Sequence, residues 1–166
     1  PGVPELNADI IDEYRRGIDP LVRAGKLGAL LAQFPPSFKH SQESQAYLDA
    51  LLSRLHDYPV AVELRHRSWS DNFNATMSLL NSRKAALAQI DEPKFPSSIR
   101  QDLKGPLAEL YYLRLHGRNA REWWDHAESE DRYNYFYSED ELAPIADKAR
   151  QARELKKKIY LFMNNH

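Results

Sequence analysis

Residues 59–69 read Pro-Val-Ala-Val-Glu-Leu-Arg-His-Arg-Ser-Trp, an apolar run that passes directly into charged, imidazole and indole side chains. The run from Pro59 to Val62 has the composition of a buried strand in a parallel sheet. Glu63 and Arg65 follow where this strand should end. Buried strands carry such charges only when they are paired or used, and parallel α/β folds place their chemistry at strand carboxyl ends. The stretch therefore predicts an α/β fold with a site at this strand end.

The bulk composition is typical of a globular domain. The chain has 166 residues, of which 42% are hydrophobic and 28% are charged, and its formal net charge is −1. That length supports one domain with a core. Near-neutral charge does not favour a nucleic-acid partner, which would need a local basic cleft. Cysteine is absent, which excludes disulfides and thiolate sites. No apolar run approaches the ~20 residues that span a membrane, and no signal peptide is visible, so we expect a cytoplasmic protein without a membrane partner.

Four other segments repeat the pattern of an apolar run that ends in polar residues. They are 27–33, ending at Gln33; 85–90, ending before Asp91; 110–116, ending with Arg114 and His116; and 159–163, followed by Asn164, Asn165 and His166. Helical patterns separate most of these strands, and residues 92–108 are predicted to be irregular. The alternation predicts a parallel sheet with right-handed crossovers.

Helix boundaries are predicted from caps and periodicity. The first apolar stripe runs from Leu6 to Ile18 and is expected to be interrupted at Asp19-Pro20. Ser41 is the predicted N-cap of the second helix, and Ser70-Asp71 is the predicted start of the third. A capping box formed by Ser138 and Glu141 opens the last helix.

The polar ends of all five predicted strands favour a barrel over a doubly wound sheet. A doubly wound sheet gathers ligand groups at one switch point, whereas a TIM (β/α)8 barrel brings every strand end to one mouth. No Gly-rich phosphate loop is present. Five strands cannot close such a barrel. We therefore expect residues 1–166 to form a single domain, the C-terminal portion of a TIM barrel whose N-terminal strands and final helix are missing.

Four motifs carry a resemblance to a known family. They are Gln33-Phe34-Pro35-Pro36, the stretch Glu63 to Trp69, Arg114-Leu115-His116-Gly117-Arg118, and Asn164-Asn165-His166. In this order they resemble the YecE-like family, a domain-of-unknown-function family that is thought to adopt a TIM barrel. The resemblance implies that the chain is the later part of that domain. It implies no particular reaction.

The strand ends supply the predicted site residues. The predicted catalytic residues are Glu63, Asp91 and His116, and the predicted substrate-binding residues are Gln33, Arg65, His66, Trp69, Arg114, Arg118, Asn164, Asn165 and His166. Glu63 and His116 would act as acid and base, while Arg65 and Arg114 would clamp an anion through their planar guanidiniums. The alternative for Glu63 and Arg65 is a structural charge pair. The alternative for Arg114 is a salt bridge to Glu63 or Asp91 in place of an anion clamp.

Three functions are compatible with these residues. The first is an enzyme that acts on a small phosphorylated or carboxylated molecule at the barrel mouth. The second is metal-dependent phosphoester or nucleic-acid chemistry, in which Glu63, Asp91, His116 and His166 would hold a divalent metal, although Arg65 and Arg114 would repel it. The third is a non-catalytic barrel that binds a ligand or partner through the aromatic segment 118–137. No other cofactor is expected, and the oligomeric state is not predicted.

Overall fold

The computed structural model describes residue 3 and residues 5–100, 109–121, 123, 133–155 and 158–165. Helices and strands alternate along most of these ranges. In chain order they are α1 (Ala8–Arg23), β1 (Leu30–Gln33), α2 (Gln42–Arg54), β2 (Val60–Glu63), α3 (Ser68–Asp71), α4 (Phe73–Ser82), β3 (Ala86–Leu87), β4 (Gln89–Asp91), β5 (Leu110–Leu115), α5 (Glu139–Glu154) and β6 (Lys158–Met163).

The described strands form two three-stranded sheets in which every pair is parallel. One sheet has the order β1-β2-β3 and the other has the order β4-β5-β6. The predicted parallel α/β fold is confirmed. The prediction of one strand over 85–90 is wrong, because the chain changes partners at Ala88: β3 pairs with β2, and β4 pairs with β5. No closed barrel is formed by the strands within the described ranges.

Alternation along the strands gives the sheets two different faces. One face carries large apolar side chains, which pack with α2 and α4 in a core that includes Leu30, Val62, Leu87, Leu48, Leu52 and Leu80. The opposite face is lined near its middle by the small residues Ala61, Ala86 and Ala88. Glu63 follows Ala61 by two residues and lies on the same side of its strand, so its charge is presented to this second face.

Helix α1 does not break at Asp19-Pro20 as predicted. It begins after the N-cap Asn7 and continues through Pro20 to Arg23. A proline inside a helix loses its own amide hydrogen bond and its ring crowds the carbonyl group four residues earlier, and tertiary contacts offset this cost. Ile11 is buried in the main core, and the Tyr58 hydroxyl donates a hydrogen bond to Asp19 Oδ1 at 2.6 Å. Packing against the rest of the chain therefore overrides the local breaker.

The other helix starts show where side-chain caps decide the boundary. Ser41 Oγ accepts a hydrogen bond from Ser44 N, and the capping box of Ser138 and Glu141 is formed at the start of α5. Both predictions are confirmed. The prediction that Ser70-Asp71 starts a helix is wrong, since both residues lie inside the short helix α3.

Candidate functional site at the strand carboxyl ends

Arg114 on β5 joins polar side chains from three other strand ends. Its Nη1 donates to Gln33 Oε1 at 2.6 Å and to Glu63 Oε2 at 2.6 Å, and its Nε donates to Asn164 Oδ1 at 3.0 Å. These acceptors lie at the ends of β1 and β2 and directly after β6. We call the following residues the Glu63 cluster: Gln33, Glu63, Arg65, Glu92, Arg114, His116 and Asn164.

Glu63 is a buried carboxylate that two guanidiniums share. Its side chain is 0% exposed, Arg65 Nη2 lies 2.7 Å from Oε1, and Arg114 Nη1 lies 2.6 Å from Oε2. Burial alone would raise its pKa, but contacts with His116, Arg65 and Arg114 lower the pKa of Glu63 from 4.5 to about 2. Glu63 therefore stays ionised at neutral pH. This geometry suits a fixed counter-ion better than the acid/base role predicted from the sequence.

His116 is a neutral imidazole with an unpaired ring nitrogen. The residue is 2% exposed, and burial, the largest influence, lowers its pKa despite the neighbouring Glu63. Its Nε2 lies 3.3 Å from Arg65 Nη2. A guanidinium can only donate, so Nε2 accepts and the single ring proton is assigned to Nδ1. Nδ1 is buried and has no hydrogen-bond partner among the described residues. A ligand oxygen would satisfy this donor.

Glu92 is the member of the cluster that the sequence reasoning missed. It is 6% exposed, and its Oε2 lies 3.7 Å from Arg65 Nη1. Burial raises the pKa of Glu92, and the charge of Arg65 opposes this shift. In the β4–β5 register Ile90 pairs with Arg114, so continuing the ladder by one pair of residues beyond Asp91 and Leu115 brings Glu92 beside His116. Residues two apart on a strand point to the same face, and this alternation is the sequence signal that could have identified Glu92.

Asp91 and Arg118 form a separate network on the helix side of the sheet. Arg118 donates to both oxygens of Asp91, from Nε at 2.8 Å and from Nη2 at 3.0 Å. The Tyr137 hydroxyl donates to Asp91 Oδ2 at 2.7 Å, and Arg118 Nη1 donates to Glu141 Oε1 at 3.1 Å. These contacts tie β4 and the residues after β5 to the start of α5. The geometry shows a clamp between these elements, and the catalytic role of Asp91 and the ligand-binding role of Arg118 stay predictions.

The sequence profile of the family described as "Protein of unknown function DUF72" matches residues 4–166. The chain belongs to the DUF72 family. The resemblance to the YecE-like family that the sequence motifs suggest is compatible with this membership. The matching descriptions use the names DUF72 and UPF0759.

Relatives of this DUF72 chain are found among curated sequences and crystal structures. It is 28% identical over 165 residues to the UPF0759 protein YunF of Bacillus subtilis, covering 95% of the chain and 58% of that protein. A DUF72 family protein from Thermotoga maritima is 35% identical with a TM-score of 0.80, over 93% of the chain and 57% of that structure's chain. One from Enterococcus faecalis is 27% identical with a TM-score of 0.85, over 95% and 59%. The chain thus spans less than two thirds of each relative's length.

The structure of this DUF72 chain places three further predicted ligand-binding residues, Trp69, His66 and Asn165, in contacts outside the Glu63 cluster. Trp69 is 0% exposed and stacks on Phe38, whose carbonyl oxygen accepts a 2.8 Å hydrogen bond from the indole nitrogen. His66 Nδ1 accepts from Ser68 N at 3.1 Å in the first turn of α3. Asn165 Nδ2 donates to the carbonyl oxygen of Tyr135 at 2.7 Å. The predicted substrate-binding residue His166 lies outside the described residues. Trp69 is thus buried in the core, and its ligand-binding role stays a prediction.

Two further features bear on the alternative functions. Within the described ranges, no group of three His, Asp or Glu side chains is placed to hold a metal ion. Of the helices in the same ranges, none has the length and apolarity to cross a bilayer. In the aromatic segment, Trp123 contacts the rings of Phe95 and Tyr133, while Trp124 and the residues up to 132 lie outside the described part of the chain.

Proposed function

We propose that this DUF72 chain carries the active site of an enzyme that acts on a small phosphorylated or carboxylated molecule, bound at the Glu63 cluster. Arg114 would attract the anionic group by its charge, and Nη2, which takes no part in the hydrogen bonds to Gln33, Glu63 and Asn164, would donate to it. The observation that carries the proposal is the buried Nδ1 of His116, which has no hydrogen-bond partner among the described residues, on an imidazole whose Nε2 contacts Arg65. A buried donor without an acceptor costs ~1–3 kcal/mol, which a bound ligand oxygen would recover.

Charge also supports an anionic ligand. Arg65 and Arg114 are 12% and 14% exposed, and they share the single carboxylate of Glu63. Glu92, another carboxylate in the described part of the chain, lies 3.7 Å from Arg65, beyond hydrogen-bond distance, so it balances the second positive charge less closely than Glu63 does. Such a site attracts an anion more strongly than a cation.

The proposal includes a TIM-type barrel of which residues 1–166 form the C-terminal portion as one domain. All described strand pairs are parallel and follow chain order, as in such a barrel. The curvature is strong: a Cβ on Gly28, before β1, would meet the Tyr160 hydroxyl of β6 at 2.7 Å. On β6, Leu161, Phe162 and Met163 are exposed, which suits a strand that further elements would cover. A cytoplasmic location belongs to the same proposal.

A thermal-shift experiment tests anion binding. The unfolding midpoint of the protein would be measured with inorganic phosphate, sugar phosphates and dicarboxylates at constant ionic strength. We expect a ligand at 100 times its Kd to stabilise the fold by about 2.7 kcal/mol. Arg114→Lys keeps a counter-charge for Glu63 but loses the Nη2 donor, so the response should weaken about tenfold or more in ligand concentration. Arg83→Lys, at a surface pair with Asp49, is the matched control.

The proposal fails if no anion in the panel raises the midpoint, or if Arg114→Lys responds like the unaltered protein. The two other functions predicted from the sequence are kept as alternatives. Repeating the panel with EDTA tests the metal-dependent one, which requires a loss of response. Removing the aromatic side chain of Trp123 tests the non-catalytic one, which requires loss of binding there rather than at Arg114.

A further inference from the structure

We propose that Glu92, rather than Glu63, is the catalytic carboxylate of this site, and that it takes a proton from the bound substrate while His116 Nδ1–H binds the substrate oxygen. The inference rests on the proposed function, since it requires a substrate at the Glu63 cluster. It assigns a reaction class, proton abstraction beside a carbonyl group, that the family membership does not supply.

The two carboxylates differ in how they are held. Both oxygens of Glu63 are engaged by guanidinium nitrogens at 2.6–2.8 Å, so this carboxylate is held in two tight ion pairs that oppose its protonation. Glu92 lies 3.7 Å from Arg65, which is beyond hydrogen-bond distance. The carboxylate of Glu92 is therefore the one that can gain and lose a proton without first breaking a tight ion pair.

Glu92 is also positioned for the task. It follows β4 and, one residue beyond the β4–β5 ladder, is the register neighbour of His116, which directly follows β5. Arg65 lies between Glu92 and Glu63 and is within 3.3 Å of His116. Base, imidazole donor and guanidinium are thus contributed by three neighbouring strand ends, which is the arrangement that a substrate spanning the cluster would need.

The charged groups around Glu92 tune it for proton transfer. Burial raises its pKa, Arg65 from the end of β2 and Lys94 from its own segment lower it, and Glu63 and Asp91 raise it further. His116, on the neighbouring strand, is neutral. A carboxyl group whose pKa is moved towards the working pH transfers protons more effectively than one that is held fully ionised. Glu63 thus serves as the fixed counter-ion of the arginines, and Glu92 serves as the carboxyl group that takes up and releases a proton.

The proposed step is balanced without a further reactant. A Glu92 carboxylate oxygen forms an O–H bond as the substrate C–H bond beside a carbonyl breaks. The C–H electron pair moves into the substrate to give an enolate, whose oxygen accepts the hydrogen bond from His116 Nδ1–H. The hydroxyl proton of this enediolate passes from its oxygen to the former carbonyl oxygen, and returning the proton held by Glu92 to the neighbouring carbon completes an isomerisation and restores Glu92. The substrate class is therefore a hydroxycarbonyl compound that carries a phosphate or carboxylate group.

Two measurements test the inference. In a ¹³C NMR titration of glutamate side-chain carboxyls, assigned with Glu92→Gln and Glu63→Gln, Glu92 should titrate above its ordinary range and Glu63 well below it. In D2O, incubation with ketose phosphates, aldose phosphates and 2-keto acids should exchange the substrate hydrogen beside the carbonyl. We expect Glu92→Gln to slow this exchange at least a hundredfold and Glu92→Asp at least tenfold, whereas the surface variant Asp49→Asn keeps the unaltered rate.

The outcomes separate this inference from the proposed function. The role of Glu92 is refuted if anions stabilise the protein through Arg114 but no panel compound exchanges hydrogen. It is also refuted if exchange persists in Glu92→Gln. Either result leaves anion binding in place. A pKa for Glu63 above that of Glu92 refutes the inference in the same way. If no anion binds, the proposed function itself is overturned.

Discussion

Removing the charge of Glu63 is the most informative test of the cluster. Glu63→Gln keeps the size of the side chain but leaves Arg65 and Arg114, 12% and 14% exposed, without their shared counter-ion. The fall in the Glu63 pKa from 4.5 to about 2 corresponds to about 3 kcal/mol of folding free energy. Breaking a buried pair by removing one partner costs ~3–5 kcal/mol, which agrees. We expect a destabilisation of about 3 kcal/mol at pH 7.

The same pKa predicts how the loss depends on pH. Because the pKa of Glu63 is depressed in the folded protein, its stabilisation is complete above about pH 5 and is lost as the pH falls towards 2. Glutamine resembles the protonated acid. The difference between the unaltered protein and Glu63→Gln should therefore shrink to about 1.5 kcal/mol near pH 3.

Urea unfolding, followed by circular dichroism and extrapolated to water, measures both differences. Asp49→Asn is the control, because Asp49 and Arg83 form an equally short 2.7 Å pair with side chains that are 42% and 34% exposed. An exposed pair contributes only ~0.2–1 kcal/mol. The reasoning is refuted if Glu63→Gln costs no more than Asp49→Asn, or if its cost is the same at pH 7 and near pH 3.

Two further predictions concern the scaffold around the cluster. Gly117 has φ +86°, and a Cβ there would meet Tyr135 Cβ at 2.7 Å. Gly117→Ala should therefore destabilise the fold by about 1–3 kcal/mol, measured by urea unfolding. An unchanged unfolding midpoint would contradict this geometry. Trp69→Phe leaves the carbonyl oxygen of Phe38 without its indole donor and should lower the free energy of unfolding by about 1–3 kcal/mol. The thermal shifts induced by anions should be retained. Loss of those shifts would instead place Trp69 in the binding site.

The difference between Asp91 and Glu92 shows where sequence reasoning stops. Both are acidic residues at the end of one predicted strand, and the sequence reasoning selected Asp91. Neighbouring residues on a strand point to opposite faces, so the choice depends on register with β5. Asp91 pairs with Leu115 and meets Arg118 on the helix side, while Glu92 continues towards His116. A change of pairing partner at Ala88, which no local pattern encodes, lies just upstream of both residues.

Trp69 shows a second limit of the same kind. An indole after a charged strand end suggests a ligand contact, and the local sequence offers no reason to bury it. The structure stacks it on Phe38, which lies in the loop between β1 and α2. That contact joins residues 31 positions apart in the chain. Only the tertiary fold determines whether such a side chain meets a ligand or the core.

The stretch from Pro59 to Trp69 nevertheless predicts much by itself. Apolar composition and the following charges are local properties, so they are enough to predict a buried parallel strand that ends in Glu63 and Arg65. Side-chain caps at Ser41 and Ser138 are equally local, and they were predicted correctly. The partners of Glu63 are not local, because Arg114 lies on β5 and His116 directly follows it, 51 and 53 residues further along the chain. Only the tertiary packing of the strands holds Glu63 ionised between two guanidiniums and leaves Glu92 beyond hydrogen-bond distance of Arg65.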